Sequence, residues 1–297
     1  MNSIMDIKFQ LILVTLLYSV FLASAVEYYM RQSQGLTSMP TNIPTTATHV
    51  ILTNNSITEV PTSTWTPFHN DVRWLSLHEN LLTSFPDLRK LGSCLVAIGL
   101  DYNLISYINE TYLEGLDKLF SLALHGNQLV GFPESVALNS LNLFSISDNY
   151  LTEPPNFSAF AKNLLGIAIA KNNISSFNPA VFSDVPDMYS INAQENAFTS
   201  IPDFGNLNSS LITLRLDSTP TLTHAGVAEM AALTQLTFLN ISYTGLTLLP
   251  SSCPVKPDKL GLLATGTPLQ MCDCQMAWLK VRRIKSMHQS ADFILKE

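Results

Sequence analysis

Apolar side chains recur in one fixed frame along most of the chain. From Val72 to Leu82 the order is apolar-x-x-Leu-x-Leu-x-x-Asn-x-Leu, and an apolar residue and Pro86 follow it. The frame returns with its Asn position, or the equivalent of it, at residues 55, 80, 103, 127, 149, 172, 196, 219, 244 and 267. Successive positions are 22 to 25 residues apart. The pattern therefore predicts about ten copies of one supersecondary unit.

The spacing inside each unit predicts a short strand followed by a polar turn. Alternating residues such as Leu75 and Leu77 put two apolar side chains on one face of a strand, and parallel stacking of such strands buries them. An Asn amide after the strand can satisfy backbone groups of neighbouring turns that would otherwise be buried without partners. Thr stands at this position in residues 219, 244 and 267, and we expect looser turns there.

This unit resembles the leucine-rich repeat family over roughly residues 48–279, and its period falls within the family's range. The resemblance implies an α/β-type solenoid, an arc of about ten turns with a parallel sheet on its concave face. It also implies an irregular or 3-10 convex side and a short C-terminal capping helix.

The chain divides into four predicted segments. Residues 1–25 have the layout of a secretory signal peptide, with an apolar run from residue 9 to residue 22 and then Ala-Ser-Ala. A retained anchor is the alternative for this segment. Residues 26–47 are an N-terminal arm or cap, residues 48–270 hold the repeats, and residues 271–297 form a partial C-terminal cap with a basic helix. We therefore expect a secreted, extracellular protein with no membrane span in its mature form.

The C-terminal segment is similar to the cysteine flank of extracellular leucine-rich repeat proteins, since Cys-Asp-Cys at residues 272–274 is followed by Trp278 and Leu279. The resemblance implies a disulfide in this cap, and the candidate cysteines are Cys253, Cys272 and Cys274. We expect at most one such bond, from Cys253, and a buried thiol at Cys94. Trp278, Val281 and Ile284 would share one helical face. No Cys follows Cys274, so a chain that stops early is the alternative.

Six Asn-x-Ser/Thr motifs are candidate glycan acceptors on a secretory route. They are Asn54, Asn109, Asn156, Asn173, Asn208 and Asn240.

The concave face supplies the candidate partner contacts. Side chains that project from adjacent strands form columns, and small residues in the central column would let a partner approach the sheet closely. Arg215 could offer a forked contact to a carboxylate. Trp65, Phe68 and Trp74 form an aromatic group that is either an anchor or cap packing. The candidate partner-binding residues are Trp74, Ser76, His78, Asp101, His125, Asn192, Gln194 and Arg215.

Composition and motifs argue against several other functions. Net charge is -7, which disfavours nucleic acid. We find no catalytic motif and expect no enzyme activity, no cofactor and no resident metal. His78, Asp101 and His125 stand on three adjacent predicted strands, where they are either a weak metal or pH-responsive site or a solvated polar column.

The sequence thus predicts a secreted, non-enzymatic module that binds a protein, such as a secreted enzyme or a cell-surface protein, through its concave sheet. Two alternatives stay open. The repeat style and residues 272–279 are similar to secreted arthropod leucine-rich repeat proteins, among them the non-catalytic subunit of Oplophorus luciferase, which implies an accessory subunit of a secreted enzyme. Innate immune recognition of microbial or glycan surfaces is the other.

Overall fold

Within the part of the chain that the structure describes, one sheet of thirteen short strands forms the framework of the fold. The computed structural model describes residues 26–65, 71–249, 260–269, 281–283 and 293–295. Eleven strands of this sheet pair in parallel and in chain order. They are β1 (Tyr28–Met30), β2 (His49–Ile51), β3 (Trp74–Ser76), β4 (Ala97–Gly99), β5 (Ser121–Ala123), β6 (Leu143–Ser145), β7 (Gly166–Ala168), β8 (Ser190–Asn192), β9 (Thr213–Arg215), β10 (Phe238–Asn240) and β11 (Gly261–Leu263).

The strand register puts the same repeat position on the same face throughout. The middle residue of each strand pairs with the middle residue of the next, as Leu75 does with Ile98 and Ile98 with Leu122. These side chains are buried in the core. Strand alternation puts the residues on either side of them on the concave face, where some, such as Ala97, Ser121 and Leu143, are also largely covered by their neighbours. The predicted leucine-rich repeat arc with a parallel concave sheet is therefore confirmed.

Short helical turns connect the strands on the convex side. Five are 3-10 helices and two are α-helices within the described part of the chain. The 3-10 helices span Thr62–Thr64, Arg89–Leu91, Glu110–Leu113, Pro179–Phe182 and Gly205–Ser209, and the α-helices span Phe157–Phe160 and Val227–Ala232. Residues such as Leu91, Phe160 and Met230 bury the inner side of these turns against the strands.

A ladder of Asn side chains joins each repeat to the one before it. Asn103, which is 5% exposed, accepts a hydrogen bond from Leu82 N–H at 3.0 Å. Its amide donates to the carbonyls of Leu77 and Leu100 at 3.0 Å and of Asp101 at 3.3 Å. The same set of bonds recurs at six more positions, Asn55, Asn80, Asn127, Asn149, Asn172 and Asn196. The predicted role of Asn is confirmed.

Threonine performs part of this role near the C-terminal end. Thr267 Oγ1 donates to Ile241 O at 2.6 Å and accepts from Thr244 N–H at 3.3 Å. Thr244 Oγ1 donates to Ile241 O at 2.8 Å. A hydroxyl has one donor where an amide has two, so these turns hold fewer side-chain bonds than the Asn turns do.

The residue before each ladder position adopts a left-handed backbone. Ordinary L-residues pay roughly 1–2 kcal/mol for this conformation, and the ladder bonds of the following residue hold it in place. The positions are Asn54, Glu79, Tyr102, Gly126, Asp148, Lys171, Glu195, Ser218, Tyr243 and Gly266.

Strands that the repeat pattern did not predict extend the sheet at both ends, one at the N-terminal end and two at the other. At the N-terminal end, the arm at residues 26–47 contributes β1, which pairs with β2. At the other end, β11 pairs antiparallel with β13 (Phe293–Leu295), which pairs antiparallel with β12 (Val281–Arg283).

Val281 is therefore not on a capping helix, and that part of the prediction is wrong. Antiparallel pairing satisfies backbone groups on the open edge of β11, which a helix packed on the last repeat would leave unpaired, and a β-branched residue suits a strand. Trp278 and Ile284, the other residues of the predicted helical face, lie outside the described residues.

Cys94 is half-buried rather than buried. Its thiol donates to Leu91 O at 3.1 Å, at the end of a 3-10 turn, while its side chain packs against the edge of the core. Burial raises the pKa of this thiol. Cys253, Cys272 and Cys274, and the signal peptide at residues 1–25, lie outside the described residues, so the disulfide and the leader stay predictions.

Replacing Asn103 by Ala should lower the free energy of unfolding by about 3 kcal/mol, because it leaves several buried backbone groups without partners. Asn103→Thr should lose less, as the Thr turns indicate. Thermal or denaturant unfolding followed by circular dichroism measures both. Asn139→Ala is the matched control at an exposed Asn; an equal loss in the control would contradict the ladder's role.

Candidate functional site

The concave face presents three columns of side chains. The first and third residues of each strand form two columns, and the residue two places after the strand forms the rim column. The rim column runs His78, Asp101, His125, Ser147, Ala170, Gln194, Asp217 and Ser242, as predicted, and its first three members are half-buried.

Small residues cover the middle of this face. From β4 to β7 the outward positions are Ala97, Gly99, Ser121, Ala123, Leu143, Ser145, Gly166 and Ala168. Apart from Leu143, none extends beyond a hydroxymethyl group. A partner's backbone can therefore approach the sheet closely between β4 and β7.

We call this surface between β4 and β7 the small-residue floor. An acidic rim borders it where the strands end. We use that name for Glu79, Asp101 and Asp148, together with the rings of His78, Tyr102 and His125 that lie among them. His78 Nε2 is 3.2 Å from Glu79 Oε1, and His78 Nδ1 is 3.9 Å from Asp101 Oδ2. Asp101 Oδ1 accepts the backbone N–H of His125 at 2.8 Å, which fixes this carboxylate between two repeats.

Tyr102 separates the two imidazoles of the acidic rim. Its ring meets His78 and His125 edge-on, with centroids 5.3 and 4.8 Å apart, and its hydroxyl is 2.8 Å from His125 Nε2. A Cβ at Gly126 would lie 2.7 Å from Tyr102 Cδ1. Gly126 therefore makes room for this ring. His125 Nε2 is also 4.0 Å from Asp148 Oδ2.

The pKa values of His49 and His78, the two histidines nearest the N-terminal end of the face, are shifted in opposite directions. The polar contact with the Asp101 carboxylate raises the pKa of His78; burial lowers it by less, and the charges of Asp101 and Glu79 add to the rise. Burial lowers the pKa of His49, and the charge of Arg73 lowers it further. Protonation is therefore disfavoured at His49 and favoured at His78 relative to an ordinary histidine.

Trp74 lies on the concave face at the end of an aromatic stack. His49 stacks on Trp74 with ring centroids 5.8 Å apart, and Tyr28 contacts the other side of His49 at 4.7 Å. Trp65 is fully buried in the core instead. The predicted aromatic group is therefore divided between core and surface, and Phe68 lies outside the described residues. Ser76, the neighbour of Trp74 on β3, is half-buried at the edge of the small-residue floor.

Arg215 does not offer its guanidinium to a partner as we predicted. It is 8% exposed, and its Nε and Nη2 donate to Asp217 Oδ1 and Oδ2 at 3.2 and 3.3 Å. Residues two apart on a strand face the same side, so this pair satisfies itself. Asn192 and Gln194 stay half-buried on the same face, and Asn192 Oδ1 accepts from Gln194 N–H at 3.5 Å.

The candidate glycan acceptors differ in their accessibility. Asn54 and Asn173 are exposed, and Asn109, Asn156 and Asn208 are half-buried in or beside the convex helical turns. Asn240 is 8% exposed on β10 and accepts Ser242 N–H at 3.1 Å. A glycan at Asn240 does not fit this fold.

The sequence did not predict the left-handed column, which is our name for the side chains of the left-handed residues that follow the rim column, or the surface beside it. Glu79, Tyr102 and Asp148 occupy the residue after the rim column, a position that the period alone identifies. Beyond it, exposed apolar residues follow the turns of neighbouring repeats along one lateral side. They are Leu81, Leu104, Tyr107, Val130 and Tyr150.

Stacked repeats with an open concave sheet define a class of binding scaffold. Fibromodulin from Sus scrofa is 30% identical to this chain over 142 residues, which are 48% of this chain and 94% of that sequence. The chain therefore belongs to the leucine-rich repeat family of fibromodulin. No family model matches it.

Solved structures share the fold. A chain of the octameric complex of latrophilin 3, Unc5D and FLRT2, in which FLRT2 is the leucine-rich repeat component, has a TM-score of 0.64 at 23% identity, and 82% of each chain is covered. Toll from the Drosophila Toll–Spatzle complex gives 0.66 at 19% identity, with 81% of this chain and 35% of that chain covered. These relatives give no support to the narrower resemblance to Oplophorus luciferase. Within the described residues, no helix has the length and apolar character needed to cross a bilayer.

Substitution of the two histidines should change the pH dependence of stability in opposite senses. The raised pKa of His78 adds stability below about pH 6.5 that is lost as pH rises through the folded-state pKa. His78→Gln should therefore destabilise more in acid. The lowered pKa of His49 adds stability above about pH 6.5 that is lost in acid, so His49→Gln should destabilise more at neutral pH. Melting temperatures of both variants and the wild type, measured at pH values on either side of about 6.5, test the two shifts. If the two variants lose stability in parallel across this pH range, the opposite pKa shifts are refuted.

Glycan occupancy should follow exposure. Expressed through a eukaryotic secretory pathway, the Asn173→Gln variant should lose the mass of one glycan, whereas Asn240→Gln should leave the intact mass of the glycoprotein unchanged apart from the substitution. Intact-mass spectrometry before and after enzymatic deglycosylation distinguishes them. A glycan on Asn240 of the folded protein would contradict its burial.

Proposed function

We propose that this protein is a secreted, non-enzymatic leucine-rich repeat protein whose concave sheet docks a protein partner. The small-residue floor from β4 to β7, bordered by Trp74 and the acidic rim, is the observation that carries the proposal. Such a floor admits a partner's backbone, and an aromatic residue at its margin is a typical anchor.

Three of the six candidate glycan acceptors are consistent with the same face, whereas the exposed Asn54 lies in the left-handed column before Glu79 and the exposed Asn173 follows the ladder residue Asn172. Asn109, Asn156 and Asn208 belong to the convex turns or lie beside them. Glycans there would shield the convex side and leave the floor open. Asn240, the acceptor motif on the sheet itself, is buried.

The family relationship is consistent with docking rather than catalysis. FLRT2 and Toll were solved in complexes with other proteins, latrophilin 3 and Unc5D for the first and Spatzle for the second. The accessory-subunit and innate-immune hypotheses also use a docking surface, so the identity of the partner separates them.

A matched pair of Arg substitutions tests the docking face. Ala168→Arg places a long side chain in the middle of the floor on β7, and it should reduce partner capture about tenfold or more by steric exclusion. Ala159→Arg introduces the same residue at an exposed position of a convex helix and should leave capture within about twofold of wild type.

The measurement is a crosslinked pull-down of the tagged protein from its native extracellular fluid, with stoichiometry read by mass spectrometry. A single partner with an active site of its own would favour the accessory subunit. A microbial surface component would favour recognition. Equal capture by both variants would overturn the concave docking face.

A further inference from the structure

The acidic rim carries more negative charge than its surroundings neutralise. In the rim column and the left-handed column from β3 to β9, the carboxylates are Glu79, Asp101, Asp148, Glu195 and Asp217, and the one lysine is Lys171. Arg215 is already committed to Asp217.

The acidic rim is accessible to a ligand. The side chains of Glu79 and Asp148 are 52% and 48% exposed, and that of Asp101 is 22% exposed. Their close side-chain neighbours are two imidazoles and the Tyr102 ring, which carry no positive charge when the imidazoles are neutral. Among the described residues, no Lys or Arg side chain forms an ion pair with these three carboxylates.

The geometry suits an extended chain. Glu79 and Asp148 stand three repeats apart, which is about 14 Å at the spacing of adjacent strands. An extended segment covers this distance in about four or five residues. The floor of small residues beside the rim lets its backbone lie close to the sheet.

We propose that the acidic rim binds an extended Arg/Lys-rich segment of a partner protein, laid across β3 to β6 along the edge of the floor. The inference rests on the proposed function and specifies the chemistry of the partner. Arg fits better than Lys, because its planar fork can bind a carboxylate through two hydrogen bonds.

Acid releases this segment because the rim contains its own replacement cation. His78 Nε2 lies 3.2 Å from Glu79 Oε1, and His78 Nδ1 lies 3.9 Å from Asp101 Oδ2 across the repeat boundary. A proton on His78 therefore adds a positive charge between two of the carboxylates that would bind the segment. The carboxylates also raise the pKa of His78, so mildly acidic pH is enough to add this charge.

The test uses a fluorescent eight-residue peptide of alternating Arg and Ser as the probe, with a Glu-Ser peptide of the same length as its control. Anisotropy at low ionic strength measures binding to the full-length secreted protein, since screening weakens such contacts at high salt. The wild type should bind the Arg peptide and not the Glu peptide. Absence of Arg-peptide binding overturns the proposal.

Two triple variants separate the acidic rim from net charge. Glu79→Gln/Asp101→Asn/Asp148→Asn should weaken peptide binding about tenfold or more. Glu114→Gln/Asp117→Asn/Glu134→Gln removes the same charge from exposed positions outside the rim and should change binding less than about twofold. Equal losses overturn the proposal. Since Asp101 also fixes His125, the double variant Glu79→Gln/Asp148→Asn provides a test that leaves that bond intact.

Acidification provides a further readout. From about pH 7.5 to about pH 5.5, wild-type affinity should fall about threefold or more, and His78→Gln should lose most of this dependence. An unchanged pH profile in the His78→Gln variant overturns the acid-release part.

The pull-down separates this inference from the proposed function. If the rim triple variant captures the partner normally while Ala168→Arg does not, the docking face stands and the cationic segment is refuted. If the Arg peptide binds the rim but Ala168→Arg captures the partner as well as the Ala159→Arg control does, the rim stands and the concave docking face is refuted.

Discussion

The Asn ladder is the interaction on which the rest of the structure depends. Each ladder amide binds carbonyls of its own repeat and of the repeat before it, and its oxygen accepts an N–H from that preceding repeat. Strands of only three residues offer few backbone bonds, so the ladder supplies the connection between repeats that longer strands would provide. It also holds the left-handed residue before it, which turns the chain away from the sheet in every repeat.

That left-handed turn determines what the edge of the concave face presents. Because the backbone reverses just after the rim column, the next side chain lies beside the column rather than beneath it. Glu79, Tyr102 and Asp148 consequently join His78 and Asp101 in one cluster, although they come from different repeats. A scaffold interaction in the core thus places charge and aromatic surface at the margin of a floor that small residues keep open.

The sequence predicts the periodic features well because they depend on one repeated environment. The L-x-L strands, the ladder and the rim column all follow from the period. Features that depend on a single neighbour are not predicted by the period. Val281 has helical spacing in the sequence, yet it lies in β12, which joins the edge of β11 through β13. The ion pair between Arg215 and Asp217 follows from the two-residue period of a strand, so it could have been predicted from the sequence. The position of Tyr102 over Gly126 depends on the left-handed backbone before each ladder residue. This conformation could not be predicted from residue type, because residues as different as Glu79, Tyr102 and Lys171 adopt it.

Hydroxyl-radical footprinting of the protein with and without its captured partner tests the central claim most directly, because oxidation reports the exposure of individual side chains. The concave docking face predicts protection of Trp74, Tyr102 and His125 on complex formation, with Tyr107 and Tyr150 on the lateral side unchanged. Protection confined to Tyr107 and Tyr150, with Trp74 and His125 still oxidised at the rate of the free protein, would contradict it.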